Sequence, residues 1–391
     1  MSEWVTTSLP DVLDFREGPG ILAVDFREQG IPLIRLAGIK RGARIVDGCN
    51  YLDPETVERK WSQFRLIEGD VLLSTSASLG EVARVVSDGV GAVPYTGIIR
   101  FRPRDERIDP LFIESMLTAR DFKAQIEAMG VGSVMKHFGP SHLRRMSVSY
   151  PVDVRDQRAI AEILRALDDK IAGNAHVVDA ATSLAVTLAG AASGVVVVSD
   201  IVRHATTQLS PKRFDALVAH YSLPAFDAGN RPEGSIRASI KSNKFLLERP
   251  AVLVSKLNPR IPRVWDVAAL PERMAVASTE FVVLEPIGIS TTALWASLSQ
   301  PAAAAELASN AAGTSGSHQR VRPAEVLALR VPDPRKLGPG LLSQVDSIGL
   351  SVHHLRGQNE RLAATRDQLL PLLMSGRLRV KDAERAVEEV L

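Results

Sequence analysis

A single cysteine, Cys49, stands in a chain of 391 residues. That count excludes an intramolecular disulfide and a thiolate metal cluster, and it fits a reducing compartment. No sign of charge dominates either. Lys+Arg 47 against Asp+Glu 45 leaves a net +2, so the whole chain is not a polycation. Any nucleic-acid binding must then come from local basic patches. Clean apolar runs are also missing. The most apolar stretch, residues 175–198, is interrupted by Asp179, Ser183 and Ser193, which makes it a poor membrane span. It reads instead as an Ala-rich helix ending near Gly190 or Gly194, followed by a strand at Val195–Val198. The opening residues MSEWVTTSLPDVLDFREG show no charged-then-apolar leader pattern. These absences together lead us to expect a cytoplasmic protein with no membrane partner.

Catalytic signatures are equally scarce. No GxxxxGK[ST] phosphate loop is present, so no ATP motor is encoded. The histidines show no HExxH pair or other metal spacing. His353 and His354 are adjacent on a helix and cannot face one ligand together; solvated positions are expected. Asp168-Asp169-Lys170 reads as a charged helix face rather than an acid/base pair. Ser76 and Ser78 lie in no GxSxG elbow. An amino-methyltransferase would need an Asn/Asp-Pro-Pro-aromatic loop, and Asn258-Pro259-Arg260-Ile261 lacks the second proline and the aromatic. The expectation is a protein that is not an enzyme, with no catalytic residue, no metal site and no cofactor of its own.

What is present is a repetition. Phe138-Gly139-Pro140, then Leu143, Met146, Val148 and Pro151, is echoed by Val321-Arg322-Pro323, then Val326, Leu329, Val331 and Pro334. The offset is constant: 323−140 = 183 and 334−151 = 183. Upstream, Val71-Leu72-Leu73-Ser74 is echoed by Val252-Leu253-Val254-Ser255, with 252−71 = 181. A hydrophobic content of 45% and a charged content of 24% are ordinary for a globular protein, and the length suits two to three domains. Two similar modules on one chain suit an object with two similar sites a fixed distance apart, such as duplex DNA.

Each copy leads into a heptad series. The first runs Ile160, Leu164, Leu167, Ile171, Asn174, Val178, Ala181, Ala185, Leu188. The second runs Leu341, Val345, Ile348, Val352, Leu355, Asn359, Leu362, Arg366, Leu369, Leu373. Sustained alternation of steps of four and three predicts coiled-coil seams, each with one Asn inside it. The simplest geometry is an antiparallel intramolecular pair. Helices of roughly 30–35 residues are on the order of 45–50 Å long at about 1.5 Å per residue. That exceeds one turn of B-DNA, roughly 34 Å. Two amphipathic helices packed on their own domains are the other reading.

The fold class expected is α+β: two mixed α/β domains separated by two long helices forming an antiparallel intramolecular coiled coil. Boundaries are placed at 1–152 for the first module, 153–194 for the first helix, 195–334 for the second module and 335–379 for the second helix. Residues 380–391 read as a charged tail that frays. Within the first module, Ile31–Leu36, Val71–Ser74, Glu81–Val86 and Gly97–Phe101 read as strands and Asp109–Gln125 as one helix. Within the second, Phe245–Leu247, Ala251–Ser255 and Phe281–Leu284 read as strands and Thr291–Leu307 as one helix. Gly-rich loops are expected at Met129–Ser133 and Gly313–Ser317.

Cations, amides and hydroxyls cluster as groove reading requires. Lys and Arg suit phosphates and guanine edges, Asn suits adenine, and Ser positions neighbours. The second module offers Lys241, Asn243 and Lys244, then Ser255, Lys256, Asn258, Arg260 and Arg263. The first offers Ser74, Thr75 and Ser76 at the matching place, with Lys40, Arg41 and Arg44 as cations. The Gly-rich loops lead into Lys136-His137 and His318-Gln319-Arg320. Taken singly, any of these could be a solvated loop charge. Their recurrence at equivalent places favours DNA.

Several segments carry a further likeness. They are Gly69-Asp70-Val71-Leu72-Leu73-Ser74 with Gly80-Glu81-Val82-Ala83, and Asp156-Gln157-Arg158-Ala159-Ile160-Ala161-Glu162-Ile163-Leu164 through Ile171. Ile240-Lys241-Ser242-Asn243-Lys244-Phe245, Val254–Pro262 and Leu369-Leu370-Pro371-Leu372-Leu373-Met374-Ser375-Gly376 add to them. With them the chain resembles the specificity (S) subunit of a type I restriction-modification system. The resemblance implies modules that each read one half of a bipartite double-stranded DNA target. It implies helices that set the gap between half-sites and dock two methyltransferase subunits. S-adenosylmethionine would belong to those partners, and ATP and Mg to a restriction subunit. The second helix start, Asp333–Gly340, departs from the Gln-Arg-Ala-Ile pattern, so its docking surface is expected to differ from the first. A coiled-coil scaffold for protein partners is the alternative, and a fused methyltransferase a third reading.

Overall fold

The computed structural model describes residues 3–39, 44–76, 79–129, 138–310, 319–388 and 390–391. It divides into two compact units, Met1–Ala175 with Gln358–Leu391, and His176–Gly357. In the first unit, Val71–Ser74 is buried throughout. Alternation along the strand sends Val71 and Leu73 into one apolar cluster and Leu72 into another. A strand covered on both faces needs a continuous apolar run. It lies inside an antiparallel sheet of order Leu13–Glu17, Ile98–Pro103, Val71–Ser74, Val82–Arg84. A smaller mixed sheet follows the order Phe26–Arg27, Asn50–Leu52, Ile31–Ile34, Val93–Pro94, and its last pair is parallel. A ribbon of Trp4–Ser8 with Ser147–Pro151 completes the unit's sheets.

The second unit repeats the first sheet strand for strand: Val202–Ala205, Phe281–Pro286, Ala251–Ser255, Val264–Val267. Ala251–Ser255 also divides its side chains between two clusters. The ribbon recurs as Val195–Val197 with Arg330–Pro332, whose start keeps the offset, 330−147 = 183. The apolar positions of the sequence repeat are buried in both copies: Leu143, Met146 and Val148 in one, Val326, Leu329 and Val331 in the other. The second sheet differs. It has five strands, ordered Gln208–Leu209, Lys244–Leu247, Ala275–Ala277, Leu217–Tyr221, Glu233–Ile236.

The heptads form two long helices, Val154–Gly190 and Pro339–Met374. Within the first unit, Asp168 pairs with Arg366 at 2.6 Å. Six residues further on, Asn174 Nδ2 donates to Asn359 Oδ1 at 2.8 Å and to Gln358 Oε1 at 2.9 Å. Numbers rising on one helix and falling on the other mean antiparallel packing. Asn359 Nδ2 returns a bond to the Ile171 carbonyl at 3.1 Å. Ile160, Leu164, Leu167, Leu362 and Leu369 surround this layer as buried residues, with Ile171 partly buried. Within the second unit, Ala185, Ala189 and Val345 are buried beside Leu188 and Ile348, again in antiparallel order, and Val178 and Val352 are buried too. Leu355 is half-buried. Small residues, Ala185 and Ala189, stand at this approach, and a Cβ on Gly349 would sit 2.0 Å from Thr292 Oγ1, so the second helix also packs closely on Thr291–Leu298.

Gln157 explains why the first helix begins with Asp-Gln-Arg. Its buried amide accepts from the Asp109 amide at 2.9 Å and donates to the carbonyls of Arg107 and Pro151, each at 2.8 Å. Three backbone groups of the module are thus satisfied by one side chain on the helix. The second helix has no such residue. Asp333 instead caps a 3₁₀ turn at Pro334–Lys336, with the Arg335 amide and guanidinium as its donors.

Several elements differ from the sequence expectation. The helix expected over Asp109–Gln125 is broken at Ala119 into Phe112–Thr118 and Arg120–Met129, because Ala119 turns to an extended ψ of 146°. The one expected over Thr291–Leu307 is split into Thr291–Leu298 and Pro301–Ser309, as Pro301 cannot continue the preceding helix. The strand expected to Leu36 stops at Ile34, where a 3₁₀ turn follows, and Glu81–Val86 shortens to Val82–Arg84. The end expected to fray forms a helix, Val380–Glu388, with Ala383 and Val387 buried in the first unit's core. The two Gly-rich loops lie outside the described residues, except for Met129.

The amide layer gives a measurable consequence. Asn174→Ala leaves the buried Asn359 Oδ1 without its donor, at a cost of about 1–3 kcal/mol. Asn174→Leu with Asn359→Leu removes both amides. The double variant should recover most of that loss in urea unfolding, while its unfolding transition broadens as register becomes less fixed.

Candidate nucleic-acid interface

The loop leaving strand Ala251–Ser255 is clamped on both sides. The Lys256 amide donates to the Glu280 carbonyl at 2.8 Å, and the Lys256 carbonyl accepts from Val321 at 3.0 Å. The Asn258 amide reaches the Gln319 carbonyl at 2.8 Å, and Leu257 bridges to Arg320. Asn258 takes a left-handed backbone, φ 50°, which asparagine tolerates better than most residues. Ser255 is buried and closes the loop on itself: its Oγ donates to the Leu257 carbonyl and accepts from the Leu257 amide. Lys256, Asn258, Arg260 and Arg320 are therefore carried on one rigid backbone. Arg260 is exposed, and neither it nor Lys256 has a carboxylate partner among the described residues. Lys256 lies close enough to His204 to help burial lower the imidazole pKa.

Other candidates sit differently. Arg263 is held by Asp227 in a two-bond fork at 2.7 and 2.9 Å, and Arg320 pairs with Glu280 at 3.1 Å. Lys241 is exposed and bonds the Ala238 carbonyl, and Asn243 is exposed beside it. Lys244 is buried, its ammonium bound to Ser242. The run from Lys241 to Lys244 enters the five-stranded sheet, whereas Ser255 ends a strand of the four-stranded one. In the first unit, Ser74 and Thr75 are buried, and the Ser74 Oγ accepts from the Glu81 amide at 3.0 Å. Ser76 follows them, with its Oγ against Gly97. Arg44 is exposed, with Asp88 at 3.6 Å. Lys40, Arg41, Lys136, His137 and His318 lie outside the described residues.

The acidic partners Asp227 and Glu280 were not foreseeable from spacing, being 36 and 40 residues from the arginines they hold. A second pairing, His220 with Lys244, was equally hidden. Register across the five-stranded sheet runs His220, Val276, Leu246, and Lys244 shares the face of Leu246. Burial first, and Lys244 second, push the His220 pKa down to about 4. Its Nε2 is buried with no partner. The folded chain thus refuses a proton that the unfolded chain accepts. The cost is absent above pH 6.5, grows as pH falls, and levels off below about 4. His220→Leu should flatten that part of the acid loss. Thermal unfolding of both proteins at pH 7 and pH 5 measures it, and the gap between the two pH values should narrow in the variant.

Known proteins resemble part of this chain in sequence and most of it in fold. Residues 1–178 match the family model described as the type I restriction modification DNA specificity domain. The type I restriction enzyme MjaVIII specificity subunit of Methanocaldococcus jannaschii is 23% identical over 173 residues, 43% of this chain and 40% of that protein. The match thus spans about two fifths of the length of that curated relative. The crystal structure of the type I restriction-modification system S subunit from M. genitalium aligns over 95% of this chain and 96% of its own, with a TM-score of 0.58 and 13% identity. That likeness speaks to the fold. The HsdS subunit from Thermoanaerobacter tengcongensis aligns over 96% of this chain at 16% identity, but its TM-score of 0.39 adds nothing to the case. Residues 1–178 thus match a type I restriction modification DNA specificity domain, and over nearly its whole length the chain has a fold like that of a type I S subunit.

Proposed function

We propose that this chain is the non-catalytic reader of a bipartite, asymmetric double-stranded DNA target, with one recognition module for each half. The observation that carries the reading is a repeated sheet with unlike loops. Strands Val71–Ser74 and Ala251–Ser255 hold the same place in the same strand order. One opens into Thr-Ser-Ala-Ser, the other into Lys-Leu-Asn-Pro-Arg. A common frame with different donors and acceptors suits two half-sites of different sequence.

The long helices would dock two adenine-N6 methyltransferase subunits, which supply S-adenosylmethionine. A restriction subunit would add ATP, Mg and cleavage. The Gln157 lock at one helix start and its replacement at Asp333 support two unequal docking surfaces. The proposed domain limits, 1–152, 153–194, 195–334, 335–379 and 380–391, follow this division of labour, with the last stretch as a helix that returns to the first module's core. The reader would act in the cytoplasm, where the chromosome is.

Methylation mapping in a host carrying this chain with its methyltransferase tests the assignment. Lys256→Ala and Arg260→Ala should weaken selection at one half-site and leave the other intact. Equal loss at both half-sites contradicts the modular division. Deleting one heptad between Ile160 and Leu188 should change the preferred gap between half-sites. An unchanged gap removes the spacer role. Affinity for duplex DNA should fall steeply with salt. An assembled complex that binds no DNA would point to the scaffold reading instead.

A further inference from the structure

The first module's nominated loop, Ser74 to Ser76, carries no cation, yet an ordered arginine stands elsewhere in that module. The parallel pairing Leu33↔Val93 and Ile34↔Pro94 brings Arg35 beside Tyr95 as the next residues in register. Tyr95 is fixed at both ends: its amide donates to the Ile34 carbonyl at 3.1 Å and its hydroxyl to the Ile21 carbonyl at 3.2 Å. The Arg35 guanidinium carbon lies 4.1 Å from the centre of the Tyr95 ring and 5.9 Å from that of Phe26. Two rings therefore hold the guanidinium on its apolar faces. The residue is half-buried, and none of its nitrogens is sealed away from solvent without a partner.

No hydrogen bond or ion pair occupies those nitrogens among the described residues. Four other arginines of the unit are held by carboxylates instead. Arg84 is bound to Glu114, Arg100 to Asp14, Arg102 to Asp70 and Arg107 to Asp105. Arg35 alone of these is stacked rather than paired. A guanidinium ordered by stacking, with its planar fork of donors unspent, is prepared for a flat acceptor pair. In duplex DNA that pair is guanine O6 and N7 in the major groove.

We propose that Arg35 is a specificity-determining residue of the first module, reading a guanine through its fork. The inference rests on the sequence-reading function proposed above. Its sharpest rival is a phosphate contact, which the same fork could make.

The test uses the full chain with its methyltransferase partner, with methylation mapped for wild type, Arg35→Gln and Arg35→Lys. Thermal unfolding of each variant confirms folding. Arg35→Lys keeps the cation and the stacked stem, and so remains informative if Arg35→Gln unfolds. In the Gln variant, one G·C pair in one half-site should lose its discrimination by about 10- to 100-fold. The Lys variant should fall between, and the other half-site should be unchanged. A motif kept at full stringency overturns the proposal. So does a uniform loss of methylation at every site with the motif intact, accompanied by a shallower salt slope, which marks a phosphate contact. Absence of any sequence-dependent methylation in wild type would overturn the reading function itself, and this inference with it.

Discussion

The fold of the first unit depends on one buried amide layer. Asn174, Asn359 and Gln358 meet inside a seam that is mostly aliphatic. Leucines on two helices can slide by a heptad and still bury their side chains. Amides cannot, because each slip would leave two of them desolvated and unpaired, at about 1–3 kcal/mol apiece. The ion pair of Arg366 with Asp168 adds a second register mark six residues away from Asn174. Any function that needs helices in one alignment inherits it from these few polar contacts rather than from the apolar area around them.

A second constraint ties module to helix. Gln157 sits on the helix but spends all three of its bonds on the backbone around Arg107, Asp109 and Pro151. Arg158 adds an ion pair to Asp109 at 3.0 Å. Because the bonds are to backbone, side chains on the module's reading face can change without disturbing them. The other unit solves the same junction with an Asp333 cap and a 3₁₀ turn. A repeated frame can therefore tolerate different joints, provided each satisfies its own backbone groups.

The frame was legible in the sequence because it is periodic. Heptad series of nine and ten positions, an Asn within each, and buried positions 183 residues apart are patterns that packing imposes directly. Local exceptions were not legible. Ala119 breaks a helix without a proline to announce it. The last helix, Val380–Glu388, hides its apolar face in only Val380, Ala383 and Val387 among charged neighbours, so composition suggested a loose tail where packing makes a helix. Strand Val71–Ser74 was visible for the opposite reason, since burial on both faces leaves an unbroken apolar run.

Charge composition conceals more than it reveals here. With 47 cations against 45 anions, a near-neutral total says only that most charges have counterparts. The informative question is which cations lack one, and that depends on contacts between residues far apart in sequence. Arg263 stands in a cationic cluster by sequence, but Asp227, 36 residues before it, holds its fork. Arg35 stands in no conspicuous cluster, yet its donors are unspent because aromatic rings, not a carboxylate, order it. Sequence ranks these two arginines one way and partner accounting ranks them the other. An interface that must discriminate bases needs donors that are both ordered and unpaired, so the second ranking is the one that bears on recognition.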